Sequence, residues 1–80
     1  MEHTKTIRDY IVENFLFGDG ETLQEDTSFL ENGIVDSTGI MELLEFVEDE
    51  WGISVEDSEL TPENFDSVSK VAAFVASKRN

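Results

Sequence analysis

From Asp9 to Ser69 the chain holds 18 aspartates and glutamates and no lysine or arginine. A fold built from that 61-residue stretch gives up nearly all internal ion pairing, so its cohesion must come from buried apolar side chains. The five basic residues lie outside it, Lys5 and Arg8 before and Lys70, Lys78 and Arg79 after, and the formal net charge is −14 at pH 7. A field of one sign steers partners of the other, so the surface is expected to meet basic proteins. Nucleic acid is excluded as an ordinary partner, because phosphates need lysine and arginine. Repulsion among the carboxylates is expected to oppose the compact state, and added salt or divalent cation to relieve it.

With 80 residues the chain suffices for one domain, expected to span residues 1–80 as a monomer. A domain this small buries only about 60% of its unfolded surface, which leaves little room for an enclosed catalytic cavity. There is no cysteine, hence no disulfide or thiolate metal site. The single histidine, His3, sits near a terminus expected to fray. No plausible catalytic set is present, and neither enzymatic activity nor a specific metal site is expected. An EF-hand is excluded too, because no window supplies its alternating ligands, central glycine and closing glutamate; Asp19-Gly20-Glu21 is only a fragment. The polar N-terminus lacks the apolar stretch of a signal peptide. The longest apolar run, Val71 to Ala76, is far shorter than the about 20 residues of a membrane span. A soluble, cytoplasmic protein without membrane insertion is expected.

Helical period dominates the apolar pattern. Ile7, Tyr10, Ile11 and Phe15 make one stripe on a first helix, Thr4 to Leu16, with Thr6 and Asp9 as a capping pair and Gly18 and Gly20 as the stop. A long connection, Glu21 to Val35, is expected to be pinned to the core by Leu23, Phe29 and Leu30, with a turn at Asn32-Gly33. Ile40, Leu43, Leu44, Val47 and Trp51 mark a second helix, Asp36 to Trp51, stopped by Gly52, with Trp51 in the core and Phe46 partly exposed. Ile53 and Val55 read as an anchored extended link. Pro62 limits Asp57 to Asn64 to a short helical piece. Asp66 or Ser67 then caps a last helix to Lys78, with Val68, Val71, Ala72 and Val75 inward and Lys78 and Arg79 complementing its dipole. Without convincing strand alternation, the class is all-α: a small four-helix bundle of three main helices and one short one, with a long loop between the first two.

One segment carries chemistry. Asn32-Gly33-Ile34-Val35 leads to Asp36-Ser37, and Thr38-Gly39-Ile40-Met41-Glu42-Leu43-Leu44 continues as an acidic amphipathic helix. A serine at a helix start exposes its hydroxyl, at an end that carries unpaired amides and the positive end of the helix dipole. Asp36 is placed to cap the helix. Met41, four residues after Ser37, shares its helix face and is expected to be partly exposed. The segment resembles the attachment site of phosphopantetheine-binding carrier proteins, the acyl carrier protein family. Thr27-Ser28-Phe29-Leu30 upstream and Glu48-Asp49-Glu50-Trp51-Gly52-Ile53 downstream extend the resemblance over Ile7 to Val75.

The resemblance implies a 4'-phosphopantetheine arm on Ser37, its terminal thiol holding an acyl group as a thioester, so that a chain without cysteine still supports thioester chemistry. It implies that Asp36 helps the modifying enzyme dock and bind its magnesium ion, and that Thr38, Met41, Glu42, Glu45, Glu48 and Asp49 form the partner face. Implied partners are a phosphopantetheinyl transferase, an acyl-loading ligase or acyltransferase, and biosynthetic enzymes with basic docking patches. These belong to fatty-acid, polyketide or related biosynthesis. Carriers of fatty-acid synthesis usually have leucine after the serine. Thr38 then Gly39, and Glu45 where the family often has an apolar residue, look more like specialised carriers, including those loaded by ATP-dependent ligases. Gly39 early in the helix is expected to cost up to about 1 kcal/mol relative to alanine and to remove a side chain from the partner face. Two further readings stand beside the acyl carrier: an aminoacyl or peptidyl carrier on the same arm, and an acidic helical adaptor without an arm.

Overall fold

The computed structural model describes residues 2–16, 18 and 23–79. Among them are four α-helices and no strand: α1 (Glu2–Phe15), α2 (Ser37–Trp51), α3 (Pro62–Phe65) and α4 (Val68–Arg79). A single 3-10 turn, Asp57–Glu59, precedes α3. The all-α class and the plan of three main helices with one short one are as the sequence predicts. Helix α4 is the central element, set against α1, α2 and α3. Its Val68, Val71, Ala72, Phe74 and Val75 are buried, together with Ile7 and Ile11 of α1, Leu43 and Val47 of α2, and Phe65 of α3.

Helix α1 starts two residues earlier than expected, at Glu2. The His3 ring stands edge-on to Trp51, with centroids 5.4 Å apart, which holds the first turn against α2. Thr6 and Asp9 therefore lie inside the helix and cannot cap it; Asp9 instead pairs with Lys5 at 2.8 Å on an exposed face. At the other end Gly18, at φ 89°, donates its amide to the Val12 carbonyl at 2.9 Å, an arrangement that favours glycine. Asp19 and Gly20, the rest of the expected stop, lie outside the described residues, as does Glu21 at the start of the expected connection.

The long connection is anchored, though not by all three expected residues. Leu23 and Phe29 are buried, whereas Leu30 is 48% exposed. The anchor missing from the sequence reading is Asp66. Its carboxylate accepts from the Ser28 hydroxyl at 2.6 Å and the Leu30 amide at 2.9 Å, and its carbonyl accepts from the Phe29 amide at 2.8 Å. Held in this way, the turn points Phe29 into the core and leaves Leu30 outside. Ser67 takes the capping role at α4, its hydroxyl accepting from the Lys70 amide at 3.1 Å. Asp66→Ala removes two hydrogen bonds accepted by a carboxylate, one of them from a partly buried hydroxyl, and is expected to cost about 1.5–3 kcal/mol. A lower urea midpoint at unchanged slope checks this.

Between α2 and α4 the expected single helical piece is two, because Pro62 opens α3 and Leu60 and Thr61 separate it from the 3-10 turn. Glu59 fixes that turn. Its carboxylate accepts from the Glu56 amide at 3.0 Å and from Lys78 of α4 at 2.9 Å. The backbone hydrogen bond, then Lys78, hold the Glu59 carboxyl below its ordinary range. A base from outside the acidic stretch thus pairs with one of its carboxylates, which opposes the general repulsion at that point. Since the folded-state pKa is depressed, Glu59 contributes stability above the ordinary glutamate range and loses it as pH falls through that range.

Aromatic rings fill the seam between α1 and α2. Tyr10 and Phe46 stack with centroids 4.0 Å apart and planes 13° from parallel, and Phe46 meets Trp51 edge-on at 5.9 Å. Trp51, expected in the core, is only half-buried, because the last turn of α2 puts it at the end of this seam against His3. Phe46 is half-buried, as its position predicts.

Candidate functional site

Ser37 is the first residue of α2 and is exposed. Asp36 precedes it with extended backbone, φ −98° and ψ −172°, and its Oδ1 accepts from the Gly39 amide at 2.7 Å. That is the N-cap the sequence predicts, and it leaves the serine hydroxyl free of the capping role. At the far end Gly52, at φ 64°, donates to the Glu48 carbonyl and closes the helix in the left-handed conformation.

Gly39 corrects an expectation. It lies on the buried face of α2 with Leu43 and Val47, not on the face offered to partners. A Cβ there would come 2.8 Å from the Phe15 ring and 3.0 Å from a Val35 methyl. Its bare Cα lets the end of α1 and the end of the long connection close directly beneath the helix start.

At about 100° per residue, Ser37, Thr38, Met41, Glu42, Glu45, Glu48 and Asp49 share one side of α2, opposite Gly39, Leu43 and Val47. Thr38, Met41, Glu42, Glu45 and Asp49 are exposed, Met41 by 51%. Glu48 is different: it is partly buried, and its Oε2 accepts from the Val55 amide at 2.9 Å. It ties the Ile53–Val55 link to α2, a structural duty not expected of a partner-facing residue. Tyr10 looks toward the same acidic side, donating its hydroxyl to the Glu42 carbonyl at 3.2 Å. Partial burial, followed by the charges of Glu42 and Glu45, raises its phenol above the ordinary range.

Ser37 stands at the edge of an open groove of about 370 Å³, walled mainly by Leu30, Ile40, Met41, Leu60, Pro62 and Phe65. Ile40, assigned to the core stripe, is half-buried because it forms part of this wall. Sequence reasoning missed the opposite wall. Its signal was the apolar pair Leu60 and Phe65 flanking Pro62, where short-helix geometry hides any period. On the other side of Asp36 lies a smaller recess of about 290 Å³, bordered by Asn14, Thr38 and Glu42.

The described residues thus form a small helical bundle that exposes Ser37 at a capped helix start, beside an open apolar groove and an acidic helix face. No family model matches the chain. It is 35% identical over 66 residues to "Probable acyl carrier protein PigG" of Serratia sp., covering 82% of this chain and 76% of that relative. Its fold matches a chain in the crystal structure of an FAD-dependent dehydrogenase, with a TM-score of 0.77 and 30% identity over 86% of this chain and 97% of that one. The chain belongs to the acyl carrier protein family.

Proposed function

We propose that the chain carries acyl groups as thioesters on a 4'-phosphopantetheine arm joined to Ser37 and presents them to biosynthetic enzymes, with no catalytic activity of its own. The observation that carries this reading is the exposed Ser37 hydroxyl at the Asp36-capped start of α2, in a chain of this family. In arm attachment the Ser37 oxygen attacks a phosphorus of coenzyme A's pyrophosphate, a phosphodiester forms, and adenosine bisphosphate leaves. The serine proton passes to a base on the transferase. The positive end of the α2 dipole and the Ser37 and Thr38 amides, ahead of the Gly39 amide that Asp36 caps, favour the resulting phosphate. Asp36 keeps the helix start in place and helps the transferase and its magnesium ion dock. Once attached, the arm supplies the thiol that holds the cargo. The groove wall of Ile40, Met41 and Leu60 offers apolar cover beside it.

The test is direct. Incubation with coenzyme A and a phosphopantetheinyl transferase is expected to add the mass of one arm, and peptide mapping to place it on Ser37. An arm on another serine overturns the assignment to Ser37, and no gain in mass with several transferases overturns the carrier reading and leaves the acidic adaptor.

Partners are a phosphopantetheinyl transferase, an acyl-loading ligase or acyltransferase, and biosynthetic enzymes with basic patches, in a soluble cytoplasmic setting. Among the described residues no helix is long and apolar enough to cross a membrane. The match to a chain from an FAD-dependent dehydrogenase structure adds a flavin dehydrogenase to these partner classes. The Asp36-Ser37-Thr38-Gly39 sequence favours a specialised pathway and keeps an aminoacyl or peptidyl cargo as the second reading. The mass of the loaded species isolated from the host separates the two.

The acidic side of α2 supplies a second expected result. Glu42→Lys with Glu45→Lys is expected to lower the kcat/KM of arm transfer by about tenfold, mostly through association, and to flatten its salt dependence. Glu48 is left out because Glu48→Lys would also break the hydrogen bond to Val55. Unchanged kinetics would show that the acidic face is merely solvated.

A further inference from the structure

Among the described residues two large apolar side chains are prominently exposed, Leu30 at 48% and Met41 at 51%, and both border the groove beside Ser37. Met41 belongs to α2. Leu30 belongs to the long connection, and nothing in the sequence pattern sets it apart from the inward Phe29. Its placement is enforced: the Asp66 carboxylate accepts from the Leu30 amide, and the amides of Ile34 and Val35 both donate to the Phe29 carbonyl, at 2.9 and 3.4 Å. Gly33, at φ 65°, completes the turn. A turn braced this firmly keeps a half-exposed leucine at a cost in hydration that an inward-facing leucine would avoid.

We propose that Leu30 is the second half of the docking surface, and that Leu30 and Met41 together grip the phosphopantetheinyl transferase as it brings coenzyme A to Ser37. This rests on the carrier reading above. The pair and exposed Ser37 line the same groove, so a protein that covers that hydroxyl from the groove side meets both side chains. Exposed Glu31 beside Leu30, and Glu42 and Glu45 beside Met41, ring the pair with negative charge. The complementary partner surface is an apolar contact rimmed by lysine and arginine. Asp66 acts here as a positioning residue, since its carboxylate holds the turn that presents Leu30.

The experiment uses the apo chain, coenzyme A and a purified phosphopantetheinyl transferase, and measures initial rates of arm transfer by intact mass over a range of carrier concentrations. Leu30→Ser is expected to raise the KM for the carrier about five- to tenfold with kcat little changed, and Leu30→Met to restore it. Far-UV circular dichroism checks that both variants fold, as replacement of a half-exposed side chain allows. The apo chain holds no cargo, so a role of Leu30 confined to sheltering a tethered acyl group would leave this KM untouched. A parent chain modified on Ser37 alongside Leu30→Ser with unchanged KM would overturn the inference and leave the carrier reading standing. A parent chain that is never modified would overturn the carrier reading itself.

Discussion

Ser37→Ala is expected to fold as the parent chain does and to take up no arm from coenzyme A under conditions that modify the parent completely. Both halves follow from the structure. The side chain is exposed, and the cap on α2 is the Asp36 carboxylate on the Gly39 amide, which the substitution does not touch. Alanine is also the best helix former, so the helix start is not weakened. Two other serines are poorly suited to substitute. Ser28 donates to Asp66 and Ser67 caps α4, so both are engaged in holding the fold. Thr38 is the nearest alternative and is exposed, but it stands about 100° round the helix from Ser37, away from the groove, and its hydroxyl is secondary. Intact mass with matching far-UV spectra checks the result. An arm on Thr38 in the variant would show that the transferase reads the helix start rather than one oxygen.

Gly39→Val is expected to produce the largest loss of stability among substitutions close to the site, about 2–4 kcal/mol by urea unfolding. Even a single added carbon meets Phe15 at 2.8 Å and Val35 at 3.0 Å. The Val35 side is buried and cannot yield without moving the end of the connection. Valine adds two methyls to that carbon, so the end of α1 or the start of α2 has to shift. Such a loss is a large part of the about 4–12 kcal/mol available to a domain of this size. Gly39→Ala is the graded control. Its gain in helix propensity, about 1 kcal/mol, offsets part of the crowding, so its cost is smaller. A valine variant as stable as the parent would mean that Phe15 swings aside freely and that this closure does not matter.

Gly39 also shows where reading the sequence stops short. A glycine early in a helix was legible as unusual, but its direction was not. The stripe Ile40, Leu43, Leu44, Val47, Trp51 fits helical period, yet the buried line on α2 is Gly39, Leu43 and Val47. A residue without a side chain contributes nothing to a hydrophobic pattern, so it is easily assigned to the wrong face. Helix α2, its Asp36 cap, its Gly52 stop and the exposed Met41 were all legible, because each depends on residues within one or two turns. Leu30, Asp66 and Glu48 were not. Their roles arise from hydrogen bonds spanning 36, 38 and 7 residues, to amides and a hydroxyl that leave no periodic trace. The site's local chemistry was therefore readable, while the groove beside it, walled from three separate segments, needed the fold.

The aromatic seam between α1 and α2 has a consequence for how this protein can be observed. Trp51 is the single tryptophan. It occupies the last turn of α2, fourteen positions along the helix from Ser37, which at about 1.5 Å per residue is about 21 Å. It borders Phe46 and His3 and is not among the residues lining the groove. The chain's natural fluorophore therefore looks onto the α1–α2 seam from the end of the bundle opposite the serine. Its emission reads the joining of those two helices rather than the surroundings of the serine. Folding and loading can accordingly be followed on separate optical and mass channels in a single sample, without a label.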